Sequence, residues 1–151
     1  MTVRSRLSKL ALATAATAGS LEMLVSSATP AEAAFSRSPY GTSVGTSCSG
    51  SKTTYNYPGG APFAIEVYYS TASGGTNCVK LINKSGRYAD MRVKLEVPAN
   101  NYAYAQDVGY YRSYAGAVRV HNTNGKCINV WSDVVQSGKY YSRDLVQVHC
   151  G

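Results

Sequence analysis

Aromatic and basic side chains crowd two stretches of the chain, and they are its strongest candidates for binding chemistry. A tyrosine ring offers an apolar face with a polar edge, and a neighbouring cation attracts carboxylate or phosphate groups. On loops and hairpin arms such residues would form a flat polar-aromatic platform for a glycan or wall polymer, although aromatic residues also commonly fill cores. The candidate binding residues are Tyr110, Tyr111, Arg112, Tyr114, Lys139, Tyr140, Tyr141 and Arg143, with Trp131 nearby in the sequence.

The sequence predicts no enzyme, because it lacks a convergent set of catalytic residue types. The two histidines, His121 and His149, fall at positions where the pattern favours the surface. The hydrolase motifs G-x-S-x-G and H-E-x-x-H are absent. Asp133 and Asp144 could pair as glycosidase carboxylates, but each is more typical of a loop residue beside a strand. No cofactor is predicted, and no metal site, since the cysteines lack zinc-ligand spacing.

Alternation of apolar and polar residues indicates the strands that would position these side chains. In residues 91–97 four apolar residues alternate with charged ones. Arg92 and Lys94 are therefore expected on a plainly solvated strand face. Other runs typical of strands are 63–69, 77–82 and 145–150.

A β-hairpin is predicted around the turn dipeptide Asn124-Gly125, since both residues tolerate positive φ. Residues 118–121 would form its first arm and residues 127–131 its second. The mature chain shows no helical period, so the predicted class is all-β: a small antiparallel β-sandwich or barrel with two disulfides.

The same pattern leads to a packing prediction for the only tryptophan of the chain. If Cys150 points inward, its partner Cys127 should do so as well. Trp131 lies four residues further along, so it is expected on the same inward face and buried.

The N-terminus has the pattern of a secretory signal peptide. Basic residues precede an apolar stretch over 10–25, and Ala31-Glu32-Ala33 fits the small-x-small cleavage rule. An amphipathic helix of a cytosolic protein is the alternative. The predicted organisation is a signal peptide over 1–33, a flexible tail over 34–47 and a β domain over 48–151. No stretch has the roughly 20 uncharged apolar residues of a transmembrane helix.

The four cysteines all follow the predicted cleavage site. An even number behind a signal peptide predicts two disulfides in an oxidising, extracellular compartment. Three pairings are possible, and pairing neighbours in sequence is the simplest in a meander of hairpins. The predicted bonds are therefore Cys48–Cys78 and Cys127–Cys150, which would leave no thiol as a nucleophile.

The predicted mature chain is basic and rich in tyrosine. It holds twelve Lys and Arg against six Asp and Glu, a net charge near +6, and all 13 tyrosines. This composition suits an anionic cell-wall polymer, a glycan or an acidic protein, with Arg112, Lys139 and Arg143 as expected contacts. Nucleic acid is not expected as a partner of an exported domain. Equally, tyrosine suits strands and net charge promotes solubility without any partner.

Four motifs carry a resemblance to a known family. They are Asn77-Cys78-Val79, Asp107-x-Gly109-x-Tyr111-x-Ser113-Tyr114-Ala115-Gly116-x-Val118, Gly125-Lys126-Cys127-Ile128 and Val148-His149-Cys150-Gly151. In these residues the chain resembles the spore-associated protein A family, small secreted proteins of streptomycetes, over roughly the whole domain after Cys48. The chain departs most from the family's pattern between Cys48 and Tyr68. The resemblance implies a spore- or wall-associated extracellular protein, and the family supplies no catalytic residues that could be assigned to this chain.

A second resemblance covers only the C-terminal quarter. Gly125-Lys126-Cys127-Ile128-Asn129-Val130, with residues 146–150, is similar to one repeat of a ricin-type lectin. In such a repeat a disulfide joins the two strands, which agrees with Cys127–Cys150. A β-trefoil needs three repeats, and the chain contains no others.

The expected function is therefore that of a non-enzymatic protein of the spore or cell surface, whose molecular activity the sequence does not assign. A carbohydrate- or cell-wall-binding module is one alternative. A secreted inhibitor of a hydrolase is another, since small two-disulfide β domains can hold rigid inhibitory loops.

Overall fold

A computed structural model describes residues 33–36 and 42–150 of the chain. The predicted signal peptide lies outside the described residues except for Ala33. Two single-turn 3-10 helices span Pro58–Gly60 and Pro98–Asn100. The strands are β1 (Ala33–Ser36), β2 (Thr42–Val44), β3 (Ser51–Asn56), β4 (Phe63–Ser70), β5 (Thr76–Asn83), β6 (Ala89–Val97), β7 (Ala103–Tyr111), β8 (Tyr114–His121), β9 (Ile128–Gln136) and β10 (Lys139–Val148).

The ten strands form two five-stranded antiparallel sheets that pack as a sandwich. Sheet A has the order β1-β7-β6-β9-β10, and sheet B has the order β2-β8-β5-β4-β3. Every pair of neighbouring strands is antiparallel. The predicted all-β sandwich class is confirmed.

The core lies between the sheets and follows from alternation along the strands. In β6 the predicted inward residues are buried, while Asp90 and Arg92 between them are exposed. Facing strands supply the remaining apolar side chains, and their removal from water is the main favourable term in folding. The largest fully buried side chains are Phe63, Ile65, Leu81, Met91, Leu95 and Ile128, with Val67, Val79, Val93, Val97, Val118 and Val120.

Both predicted disulfides are present, Cys48–Cys78 and Cys127–Cys150, and no described cysteine is free. Their partners are 30 and 23 residues apart in sequence. Loops of this length stabilise the fold by roughly 3–4 kcal/mol each in the chain-entropy model. Because such bonds persist in oxidising compartments, they indicate an extracellular protein.

Two short strands overlap the stretch for which the sequence predicts a flexible tail, residues 34–47. Most of β1 belongs to this stretch and pairs with β7, and β2 pairs with β8. The boundaries of signal peptide, tail and domain stay predictions.

The predicted hairpin around Asn124-Gly125 is wrong. The turn itself exists, with the Lys126 N–H bonded to the Thr123 carbonyl at 3.0 Å. However, β8 belongs to sheet B and β9 to sheet A, so the two do not pair. The turn carries the chain across the sandwich. A hairpin is present instead at Ser137-Gly138, where it joins β9 to β10 with Gln136 opposite Lys139.

The predicted burial of Trp131 is also wrong. Ile128, Val130 and Ser132 of β9 face the core, so Trp131 lies on the outer face of sheet A and is partly exposed. The register of β10 against β9 shifts between Leu145 and Val148. Such a bulge breaks the alternation counted back from the C-terminal cysteine.

A buried carboxyl group stabilises the connection through which the chain passes from sheet A to sheet B. Between Tyr111, which ends β7, and Tyr114, which begins β8, the chain has only two residues in which to change sheets. Asp107 is 1% exposed and accepts hydrogen bonds from the Tyr111 hydroxyl at 2.6 Å and the Gly116 N–H at 2.5 Å. Because β7 and β8 lie in different sheets, these bonds tie one sheet to the other.

The glycine of the same motif makes room for this arrangement. A Cβ atom added to Gly109 would lie 2.7 Å from Cζ of Tyr111 and 2.8 Å from its hydroxyl oxygen. Any larger residue would therefore push the ring away from Asp107. The spacing of Asp107, Gly109, Tyr111 and Gly116 is thus explained by one buried contact.

A second polar link joins the sheets at Tyr57. Its hydroxyl lies 2.7 Å from Oγ of Ser132, which in turn donates to the Arg143 carbonyl at 2.6 Å. Burial raises the pKa of Tyr57 to about 12. The ring also makes an edge contact with Phe63, so this tyrosine is both a core residue and a hydrogen-bond bridge.

The Asp107 network gives a stability prediction. Asp107→Asn keeps the shape of the side chain but turns its NH2 group towards one of the two donors, so one hydrogen bond is lost. An unsatisfied buried donor costs about 1–3 kcal/mol, and the free energy of unfolding should fall by that amount. Asp90→Asn, on an exposed position of β6, is the control and should change it by less than about 0.5 kcal/mol. Urea unfolding with the disulfides intact measures both, and equal stabilities would contradict the role of Asp107.

Candidate functional site: the outer face of sheet A

The outer face of sheet A carries a groove lined by polar and aromatic side chains from four adjacent strands. Strand pairing arranges these side chains in rows. Arg92 lies beside Val108 on one side and Asp133 on the other, and Asp133 lies opposite Ser142. We call this surface the outer groove. Its side chains are Tyr110, Asp90, Val135 and Tyr140, then Val108, Arg92, Asp133 and Ser142, then Gln106, Lys94, Trp131 and Asp144, and beyond the cavities Tyr104 and Glu96.

The outer groove consists of two adjoining cavities, of about 320 Å³ and 460 Å³. They share Arg92, Asp133 and Tyr140. The smaller cavity is lined by Val108, Val135 and other largely apolar groups, and the larger one by polar side chains. A cleft of this size with apolar walls and a few placed polar groups is typical of a ligand site.

An ion pair at the centre of the groove fixes its polar groups. The Arg92 guanidinium donates to Oδ2 of Asp133, with Nε at 2.7 Å. The Tyr140 hydroxyl donates to Oδ1 of the same carboxylate at 2.5 Å. That hydrogen bond raises the pKa of Tyr140 above its ordinary value. Asp133 therefore holds an exposed tyrosine and an arginine in defined positions.

A lysine between two aromatic rings marks the other half of the groove. The Lys94 ammonium lies 4.7 Å from the ring centroid of Tyr104 and 4.8 Å from that of Trp131. It also pairs with Glu96 at 2.7 Å. Attraction between a cation and aromatic faces keeps both rings oriented across the groove.

The groove has the opposite charge to the protein as a whole. Its acidic residues are Asp90, Asp133, Asp144 and Glu96, against which stand only Arg92 and Lys94. The formal charge of this face is thus −2, on a chain with a net charge of +7. The outer groove is therefore not a basic surface.

The structure does not bring the eight sequence-predicted binding residues onto one platform. Tyr110 and Tyr140 do share the outer groove, and they are 49% and 64% exposed. Their chain neighbours point the other way: Tyr111 belongs to the core and Tyr141 packs against Phe63. Adjacent residues of a strand face opposite sides of the sheet, so consecutive tyrosines cannot act together.

The remaining predicted residues lie in three different places. Arg112 and Lys139 are exposed in the turns at one end of the sandwich. Tyr114 is on sheet B, with the Lys80 ammonium 4.1 Å from its ring centroid. Arg143 points to the inner side, where its guanidinium donates to the Asn56 carbonyl and its Nε is buried. Arg143 is therefore a structural residue and not the expected surface contact.

Sequence reasoning missed the groove because it treated Arg92 and Lys94 as residues of a plainly solvated face. Both lie in the groove instead. The missing information is the strand order, since β6 pairs with β9 and not only with its neighbour in sequence. One signal was available in the sequence. Trp131 and Asp133 occupy alternate positions of one strand, as Arg92 and Lys94 do of another, so each pair shares one face of its strand.

The described residues give little support for a metal site or for catalysis by histidine or paired carboxylates. No group of three or more His, Cys, Asp and Glu in residues 33–36 and 42–150 could hold a metal ion. His121 bonds through Nδ1 to Thr76 at 2.8 Å, on sheet B. Asp133 and Asp144 do share the groove, but Asp133 is engaged by Arg92 and Tyr140.

No family model, curated protein or solved structure matches this chain. The resemblance to the spore-associated protein A family therefore stays a prediction. Within the part of the chain that the structure describes, no helix is long and apolar enough to cross a membrane.

The position of Trp131 predicts its fluorescence. Because the Trp131 side chain is partly exposed on the outer face of sheet A, we expect acrylamide to quench the emission of the folded protein. The quenching should be weaker than in urea-unfolded protein, since Lys94 covers part of the ring. A blue-shifted emission that resists acrylamide would contradict the outward orientation.

A half-buried histidine predicts a pH dependence of stability. Nε2 of His149 is buried and makes no hydrogen bond to the described residues, and burial lowers the pKa of this side chain. Below about pH 6.5 the unfolded state then binds more protons than the folded state. The free energy of unfolding should therefore be fully retained above that pH and fall as the pH decreases towards the lowered pKa.

The test compares urea unfolding of the natural protein and of His149→Asn between pH 7.5 and 5.5. Asparagine suits the positive φ of 50° at this position. The variant should lose most of the pH dependence in this range. An unchanged dependence would show that His149 is not its source.

Proposed function

We propose that this chain is a secreted, non-enzymatic domain of the spore or cell surface, and that it binds polysaccharide in the outer groove of sheet A. The observation that carries the proposal is the grouping of two partly exposed aromatic rings with fixed hydrogen-bonding groups on one outer face. Trp131 and Tyr104 supply the faces, and Arg92, Asp133 and Tyr140 supply the fixed polar groups.

This combination suits the chemistry of a sugar chain. A pyranose ring presents C–H groups on its faces and hydroxyl groups around its edge. An aromatic side chain can stack on the face, while charged and amide groups bond to the hydroxyls. Along β6 the outward positions from Asp90 to Glu96 extend these contacts over about 20 Å, since each residue advances a strand by about 3.4 Å.

The charge of the groove favours a neutral polysaccharide. Carboxylates outnumber cations there by four to two, so an anionic polymer would meet net repulsion. Carboxylate oxygens, in contrast, are strong acceptors for sugar hydroxyl groups. We therefore assign neutral glycan chains to the outer groove.

Two further observations support the rest of the proposal. The two disulfides agree with an extracellular location, and the resemblance to spore-associated proteins favours the spore or wall surface. The non-enzymatic role is supported by the state of Asp133, whose two oxygens are both engaged by neighbouring side chains.

Binding to a panel of neutral polysaccharides, and to purified cell walls, tests the proposal. Affinity gel electrophoresis and calorimetry would compare the natural protein with Trp131→Ala and Tyr104→Ala. Each substitution removes an aromatic face and should weaken binding about tenfold or more. Tyr68→Ala, which removes a partly exposed tyrosine from sheet B, is the matched control and should bind normally.

Three results would contradict the proposal. Equal loss of binding in Tyr68→Ala would remove the groove from consideration, and so would binding that is unaffected by Trp131→Ala and Tyr104→Ala. Release of reducing sugar from a bound polysaccharide would overturn the non-enzymatic role, and Asp133→Asn and Asp144→Asn would then identify the carboxylates responsible.

A further inference from the structure

Three turns meet at one end of the sandwich and are tied together by hydrogen bonds. The Gln136 amide, at the β9–β10 turn, donates to Oγ of Ser85 at 2.8 Å and to the Arg87 carbonyl at 3.2 Å. The Arg112 Nε, at the β7–β8 turn, donates to the Gly86 carbonyl at 3.0 Å. Residues 84–88, 112–113 and 136–139 therefore form one continuous surface.

This surface is strongly and locally basic. It carries four exposed cations, Lys84, Arg87, Arg112 and Lys139, which we call the basic end. The three turns contain no aspartate or glutamate, and the ion pairs found among the described residues involve none of the four. Their charge is thus not neutralised within the part of the chain that the structure describes.

The opposite end of the sandwich carries far less charge. Residues 71–75, 98–102 and 122–127 meet there, and they carry one charged residue, Lys126. Its ammonium donates to Oδ1 of Asn100 and to the Asn122 carbonyl, as the Lys84 ammonium of the basic end donates to Oδ1 of Asn56 at 2.8 Å, so the two ends differ in their number of cations. Of the eleven cations among the described residues, four therefore lie at one end of the sandwich and one lies at the other.

We infer that the basic end is a second binding surface and that its partner is a phosphate-bearing polymer. The four cations come from three turns that hydrogen bonds hold together. A tetrahedral phosphate can accept from several directions at once, whereas a carboxylate accepts mainly in its plane. Two of the four are arginines, whose planar forks bind phosphate oxygens in pairs.

The basic end adjoins the outer groove but is chemically distinct from it. Tyr88 and Tyr110 stack at the boundary, with ring centroids 5.1 Å apart and planes inclined by 14°. Asp90 lies beyond them on β6, where the acidic character of the groove begins. A polyanion is thus attracted to the end and repelled by the groove, so this inference does not rest on the polysaccharide proposal.

Inorganic polyphosphate is the probe for this surface. The variant Arg87→Gln with Lys139→Gln removes two cations that make no side-chain hydrogen bond or ion pair to the described residues. We expect it to weaken polyphosphate binding about tenfold, and 1 M salt to abolish binding in the natural protein. Binding of neutral polysaccharide should stay unchanged, which separates this surface from the outer groove.

The control variant removes the same charge from sheet B, through Lys52→Gln with Lys80→Gln. It should weaken polyphosphate binding less than threefold, a bound set by the general loss of charge alone. An equal loss in both variants would leave only a diffuse effect of net charge and overturn the inference. Absence of polyphosphate binding, or stronger binding of polygalacturonate, a carboxylate polymer, would overturn the assignment of phosphate.

Discussion

The sandwich depends on a crossing between its two sheets that is only two residues long. Asp107 makes this crossing possible, because its buried carboxyl group receives a hydroxyl from sheet A and a backbone N–H from sheet B. The glycine at 109 leaves space for the tyrosine ring that delivers the hydroxyl. With β7 and β8 fixed in this way, the inner faces of both sheets can close over one apolar core.

The function proposed for the domain follows from the strand order of sheet A. In sheet A, β6 lies between β7 and β9, and β10 follows β9. Side chains far apart in sequence, such as Lys94, Tyr104 and Trp131, therefore meet on one outer face. The turns between the strands meet at the ends of the sandwich, and one end carries four cations without an ion-pair partner among the described residues. Groove and end differ in charge and so suit different polymers.

Local sequence patterns predicted the strands well but predicted poorly which strands pair with each other. The alternation in β6, the all-β class and both disulfides could be read directly, since each depends on residues close in sequence or on the cysteine count. The pairing of β8 with β9 and the burial of Trp131 were wrong, because a turn can cross between sheets and a bulge in β10 shifts the register. The tyrosine platform failed on alternation itself: Tyr111 and Tyr141 face the core because Tyr110 and Tyr140 face the groove. The outer groove needed the strand order, which no local pattern contains.

The indole N–H resonance of Trp131 offers the most direct view of the outer groove, because the chain contains one tryptophan and so gives one such signal. The measurement is a ¹⁵N–¹H correlation spectrum of the folded domain during titration with oligosaccharides. These are prepared from a neutral polysaccharide that the domain binds. Binding in the outer groove predicts that the indole signal shifts progressively, together with backbone signals of β6, β7 and β9, while those of β3 and β4 in sheet B stay in place. An unchanged indole signal at saturating oligosaccharide, with shifts confined to sheet B or to the turns, would contradict it.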